Sequence, residues 1–360
     1  MSLEVLRESL PEQHRSLLDP QGPGPARMMA ARGLSPLPPR EMVIVLTGLS
    51  IDAHEQIAES AEASLQKLPE TILGPVLDTE LPGAALGILT PLLVSRAELL
   101  EKVLLNRATP DEAIASVAKD VSERLAEIII SNQERCLRSQ AIVREIRQNG
   151  SLPRASLDRL FDFLVRSGVI YEDMPEFSQA ITRLSPSEMD EMAGHVGLPD
   201  QVGALVDESE AGAAPAEEVE DSGREPMLKL ISQLTAAQKV ALAIRGNREA
   251  RTILIRDSNR VVATAAIRNP RITDSEVLNA AQNRTMSDEV IRIISMSREM
   301  TRPYQVKLAL VQNPKTPLPT AMRFLNLLRA VDVRNVAKSK GIPQALANQA
   351  KRLASTKKGR

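Results

Sequence analysis

"AAQNRTMSDEVIRII", residues 280–294, is the stretch on which the fold turns. Its Asn283-Arg284-Thr285 has the pattern of an N-glycosylation acceptor, and it also has the form of a helix stop followed by a helix start. Asn tolerates the left-handed backbone that ends a helix, and a Ser or Thr a few residues on caps the next one. The same punctuation recurs along the chain. "VLLNRATPDEAIASVA" carries Asn106, Thr109 and Pro110, and "IRQNGSLPRASLDRLF" carries Asn149, Ser151 and Pro153. "AIRNPRITDSEVLNAA" carries Asn269, Pro270 and Thr273, and "LVQNPKTPLPTAMRFL" carries Asn313, Pro314 and Thr316. In "AKSKGIPQALANQA" Gly341 and Pro343 take these places. Thr109 with Glu112, and Thr273 with Glu276, have the spacing of a reciprocal capping box.

Between these turns the segments run about 9–13 residues, with apolar residues at helical spacing: Val261, Val262, Ala265 and Ala266, then Val290, Ile291, Ile293 and Ile294. Helices this short are marginal alone and become stable when each buries its neighbour's face. The recurrence runs from 14 residues (Asn269 to Asn283) to 30 (Asn283 to Asn313), so the array is irregular. No strand-like alternation with hairpin turns is present. The expected fold is all-α: an irregular α-solenoid of short stacked helices in two lobes joined by an acidic disordered linker.

The stretches "RNPRITDSEVLNAAQNRT" and "VQNPKTPLPTAMRFL", and more loosely "LNRATPDEAIASVA", resemble the leucine-rich-repeat-variant type of α-solenoid, a relative of HEAT and armadillo repeats. The chain is also similar in layout to an uncharacterised bacterial family with two lobes. The resemblance covers about half of the chain and implies a fold, not a reaction. Some leucine-rich-repeat-variant proteins carry an iron–sulfur module, which a chain with one cysteine cannot hold.

Composition narrows the function further. The chain has 360 residues, 43% of them apolar, with no Trp, two Tyr and four Phe. Cys136 stands alone, which excludes an internal disulfide framework and a multi-cysteine metal site. It reads as a half-buried small residue, since a nucleophile needs a partner. His14, His54 and His195 have no ligand spacing. No Ser/His/Asp set, Cys/His set or glycine-rich phosphate loop is found, so neither an enzyme nor a cofactor is expected. The opening 35 residues lack an apolar block, and "MVIVL" and "LGILTPLLV" fall far short of the ~20 residues a membrane helix needs. The expected location is cytoplasmic, without membrane insertion. Asn149 and Asn283 are then not glycosylated, and the helix-punctuation reading of the opening stretch stands.

The chain divides by composition into a loose N-terminal tail (1–26), an acidic helical-repeat lobe (27–203), a disordered acidic linker (204–226), a basic helical-repeat lobe (227–355) and a basic tail (356–360). Residues 245–360 carry 23 Lys and Arg against 8 Asp and Glu, whereas residues 1–244 carry 22 against 38. Many of the arginines flank helix junctions, and in a solenoid equivalent positions stack into a stripe. A stripe including Arg251, Arg260, Arg268, Arg284, Arg302 and Lys307 is the expected docking surface for an anionic partner. Phe161, Phe163, Tyr171 and Phe177 form an aromatic cluster, either a local core or an exposed anchor. The functional expectation is a scaffold or adaptor that binds an acidic protein partner. The alternative is weak nucleic-acid binding, or phosphate or nucleotide sensing, by the basic lobe.

Overall fold

The computed structural model describes residues 2–206, 224–339 and 341–356, and the regular elements among them are all helical. It forms two compact units, residues 1–160 and 161–360. The first contains α1 (Ser2–Glu8), a 3-10 turn (Glu12–Leu18), α2 (Gly24–Ala31), α3 (Pro39–Leu49), α4 (Glu55–Lys67), α5 (Glu70–Leu77) and α6 (Gly83–Leu92). It continues with α7 (Ala97–Leu105), α8 (Asp111–Ala118), α9 (Glu123–Ser131), α10 (Gln133–Arg138) and α11 (Gln140–Ile146), and α12 (Arg154–Arg166) carries the division. The second contains α13 (Glu176–Arg183), α14 (Pro186–His195), a 3-10 turn (Asp200–Leu205), α15 (Arg224–Ser232), α16 (Ala236–Arg245) and α17 (Arg248–Leu254). It ends with α18 (Arg260–Ile267), α19 (Asp274–Gln282), α20 (Asp288–Met296), α21 (Tyr304–Gln312), α22 (Leu318–Leu327), α23 (Ala330–Lys338) and α24 (Gln344–Thr356).

Packing skips one element at a time. In the first unit α3, α5, α7 and α9 follow one another, as do α6 and α8; in the second, α16, α18 and α20 form one row and α19, α21 and α23 another. Helix α18 lies at the centre of its unit, against α13, α16, α17 and α20. Its sequence explains this: all its residues after Arg260 are buried, and Ala263, Ala265 and Ala266 let neighbours approach closely. Thr264 is buried with them and meets Ser178 of α13, Oγ1 to Oγ 3.0 Å.

The asparagines act differently from the expectation. No residue other than glycine has positive φ among the described residues, and Asn283 and Asn313 are extended at φ −75° and −87°. Their work is done by the side chain. Asn269 Nδ2 donates to the carbonyls of Ala243 (2.8 Å) and Ile244 (2.7 Å) at the end of α16, and its Oδ1 accepts from the Arg271 amide. Asn149 does the same toward Ala118 and Val121, and Asn313 toward Ala281 and Asn283. Each of these buried asparagines thus satisfies orphan carbonyls of the preceding helix end while closing its own turn.

Caps follow the sequence in part. The boxes at Thr273/Glu276 and Ser185/Glu188 form, and Thr235 with Gln238 forms another. Thr109 does not cap α8; it is buried, and its hydroxyl donates back to the Val103 carbonyl at 2.6 Å.

Three boundaries move. The expected loose tail is packed, with Leu6, Leu10 and Leu18 buried. Leu18 sits so close to Gly48 of α3 that a Cβ there would meet its Cδ2 at 2.6 Å, so a larger residue at 48 would have to displace the Leu18 side chain. Residues 161–203, assigned by composition to the first lobe, belong to the second unit: α13 packs on α18 and α14 on α16. The reason is the apolar face Phe177, Ala180 and Ile181, which outweighs the charge of the surrounding residues. The expected linker lies mostly outside the described residues, at 207–223; on its flanks Val206 forms an isolated bridge with Gly246, and α15 begins at Arg224. Of the expected basic tail, residues 357–360 lie outside the described residues. Two members of the aromatic cluster are core: Phe161 and Phe177 are buried edge to face at 4.8 Å, while Phe163 and Tyr171 are half-buried, with Tyr171 against Phe177 at 5.9 Å.

Candidate functional site: arginine-rich turns of the second unit

Helix turns in the second unit alternate between two ends of the stack. Arg248 Nη2 donates to Ser275 Oγ at 3.2 Å, joining the α16/α17 turn to the start of α19. Together with the Asn269 bonds this places the α16/α17 and α18/α19 turns side by side. At the opposite end Lys315 Nζ reaches the Met286 carbonyl at 2.5 Å, so the α19/α20 and α21/α22 turns are neighbours. The arginines therefore distribute over two ends, not along one stripe.

The expected site residues separate into two kinds. Arg251 is buried, with Nε and Nη2 on the two carboxylate oxygens of Glu276 at 3.1 and 3.2 Å and Nη1 on the Gly246 carbonyl at 3.1 Å. Glu276 also accepts from the Thr273 amide and hydroxyl, so one carboxylate fastens α17 and caps α19. Arg268 is half-buried and donates to the Thr182 and Leu184 carbonyls between α13 and α14; burial lowers its pKa from the ordinary arginine value. Lys307 folds back on the Arg302 carbonyl at 3.0 Å. These three are framework. Arg260, Arg284 and Arg302 are exposed and form no ion pair among the described residues.

The carboxylates of this region are largely engaged already. Asp257 pairs with Lys239, Glu276 with Arg251, Glu289 with Arg292 and Asp288 with Lys315, while Asp332 accepts from the Tyr304 hydroxyl. The surplus positive charge is consequently surface charge. Arg245, Arg256, Arg298 and Arg334, also exposed and without a carboxylate among the described residues, extend it. Tyr304 is tied to Asp332 with Arg329 over its ring, and Phe324 is buried, so neither aromatic of this region offers an open stacking face.

Two cavities border the site, and the sequence reading missed both. A small one of about 40 Å³ lies between α17 and α19, lined by Arg248, Arg256, Ile272 and Asn279. A larger one of about 490 Å³ lies between α15 and α17, lined by Leu228, Ile231, Lys239, Ile253 and Arg256. The signal for the second was the amphipathic "MLKLISQL" that follows the acidic segment.

Elsewhere, potential chemistry is taken up by structure. Cys136 is buried outright, and burial, with the Asp111 charge adding to it, pushes its thiol up to about 12. His14 Nδ1 meets Glu41 Oε2 and ties the first 3-10 turn to α3. Among the described residues no group of three or more His, Cys, Asp or Glu is placed to hold a metal ion, and no helix is long and apolar enough to cross a membrane. No protein-family model matches the chain, and no curated protein matches it.

Proposed function

We propose that this protein is a non-enzymatic binding scaffold of the α-solenoid type, acting in the cytoplasm, whose second unit docks an acidic protein partner. One observation carries the reading: the exposed arginines of residues 245–360 outnumber the carboxylates available to them, and five of those eight carboxylates are already engaged. Unpaired guanidinium groups on rigid helix ends are suited to bidentate recognition of carboxylates. The lack of an open aromatic platform favours a protein over a single-stranded nucleic acid as partner.

The test is fluorescence anisotropy of the full chain with a labelled polyglutamate peptide, beside a double-stranded DNA probe. The peptide should bind at low salt and weaken as the Debye length falls from ~30 Å at 0.01 M to ~8 Å at 0.15 M. Absence of peptide binding at low salt contradicts the reading. Tighter binding of DNA would assign the surface to nucleic acid instead.

A further inference from the structure

We infer that the cavity between α15 and α17 is a docking groove for an acidic amphipathic helix of a partner protein, seating a large apolar side chain in the groove and a carboxylate on Arg256. This rests on the acidic-partner reading and names the partner's form. The groove is apolar along Leu228, Ile231 and Ile253, and Leu228 is 49% exposed, so its apolar surface stands open to solvent. The cavity of about 490 Å³ falls within the range of sites that enclose a ligand group, ~300–1,000 Å³.

Its charge is not balanced. Lys239 Nζ lies 3.2 Å from Asp257 Oδ2, and these two offset each other. Arg256 is left exposed without a carboxylate among the described residues, and it borders the small α17/α19 cavity too, with Arg248 beside it. A ligand complementary to the groove therefore carries a bulky apolar side chain and an acid within a helical turn of each other, the pattern of a helix laid into a groove. The chain's own residues 207–223 supply seven carboxylates but only Val219 as a large apolar residue, so they match the charge and not the apolar floor.

The experiment uses the full chain and two labelled acidic helical peptides of equal charge, one with leucines along one face and one with serines in their place. The leucine peptide should bind about tenfold more tightly, a margin of ~1.4 kcal/mol. Leu228→Gln and Arg256→Gln, both at exposed positions, should each remove most of that margin and leave the thermal transition in place. Arg284→Gln should weaken both peptides alike. Equal binding of the two peptides, or a margin that survives both groove substitutions, overturns the groove and leaves the acidic-partner reading intact. Failure of both peptides to bind at low salt overturns the two together.

Discussion

In the first unit Asp111 holds two arginines at once, Arg135 Nη1 at 2.6 Å and Arg138 Nε at 2.7 Å, and Arg27 is buried against Asp52. In the second unit Arg256, Arg260, Arg284, Arg298 and Arg302 face solvent with no carboxylate among the described residues. Both units are built from short helices stacked on the second-next helix, so the difference is not one of architecture. One unit uses arginine for cohesion. The other also ties arginines down, among them Arg251, Arg268 and Arg183, and leaves the five just named at the surface. Sharing a residue type and a turn position does not fix an arginine's task; the distance to the nearest free carboxylate or carbonyl does.

The largest effect expected within the second unit is at Arg251. Arg251→Ala strands the Glu276 carboxylate in a buried site and should cost about 3–5 kcal/mol, read as a lower denaturant midpoint. Arg302→Ala, at an exposed position, should fall within about 0.5 kcal/mol of wild type. If both variants unfold alike, the division into framework and surface arginines fails.

Next come the asparagines. Asn269→Ala exposes no new surface but leaves two buried carbonyls unpaired, and should cost about 1–3 kcal/mol. Among the described residues Asn283→Ala loses only the bonds from the Thr285 amide and hydroxyl, and should cost less. Equal losses would mean that the cross-helix bonds contribute little.

The smallest effect is acid dependence in the first unit. The Arg138 hydrogen bond, with Arg135 beside it, holds the Asp111 carboxyl below its ordinary value of 3.8 against the opposing pull of burial. A depressed folded-state pKa stabilises above the ordinary carboxylate range, and that contribution is lost as pH falls through the lowered value. The stability gap between wild type and Asp111→Asn should therefore be constant near neutrality and shrink in acid. A gap that does not change with pH would remove Asp111 as an ionised tie.

The helical class was legible because each stop–start signal is local: apolar spacing, a capping residue and a proline act within one turn. The box at Thr273 was legible for the same reason. The role of Asn269 was not, because its partners Ala243 and Ile244 lie in a preceding helix that only stacking brings near. The unit boundary was hidden likewise. Composition placed α13 and α14 with the acidic half, while their buried faces belong to α18 and α16. For the site, charge gave the surplus but not its placement. Nothing in the sequence separates Arg251 and Arg268 from Arg260, and tertiary contact shows which guanidinium finds a partner.

Docking of an acidic partner is assigned to the second unit's arginines that have no carboxylate among the described residues. The most direct measurement compares two charge-matched triple variants of the full chain for polyglutamate binding at low salt. One replaces Arg260, Arg284 and Arg302 with Gln; the other replaces Arg32, Lys67 and Lys119, exposed cations of the first unit. The expected result is at least about a tenfold loss for the first, ~1.4 kcal/mol, and no change for the second. Equal losses, or none in either, would contradict it.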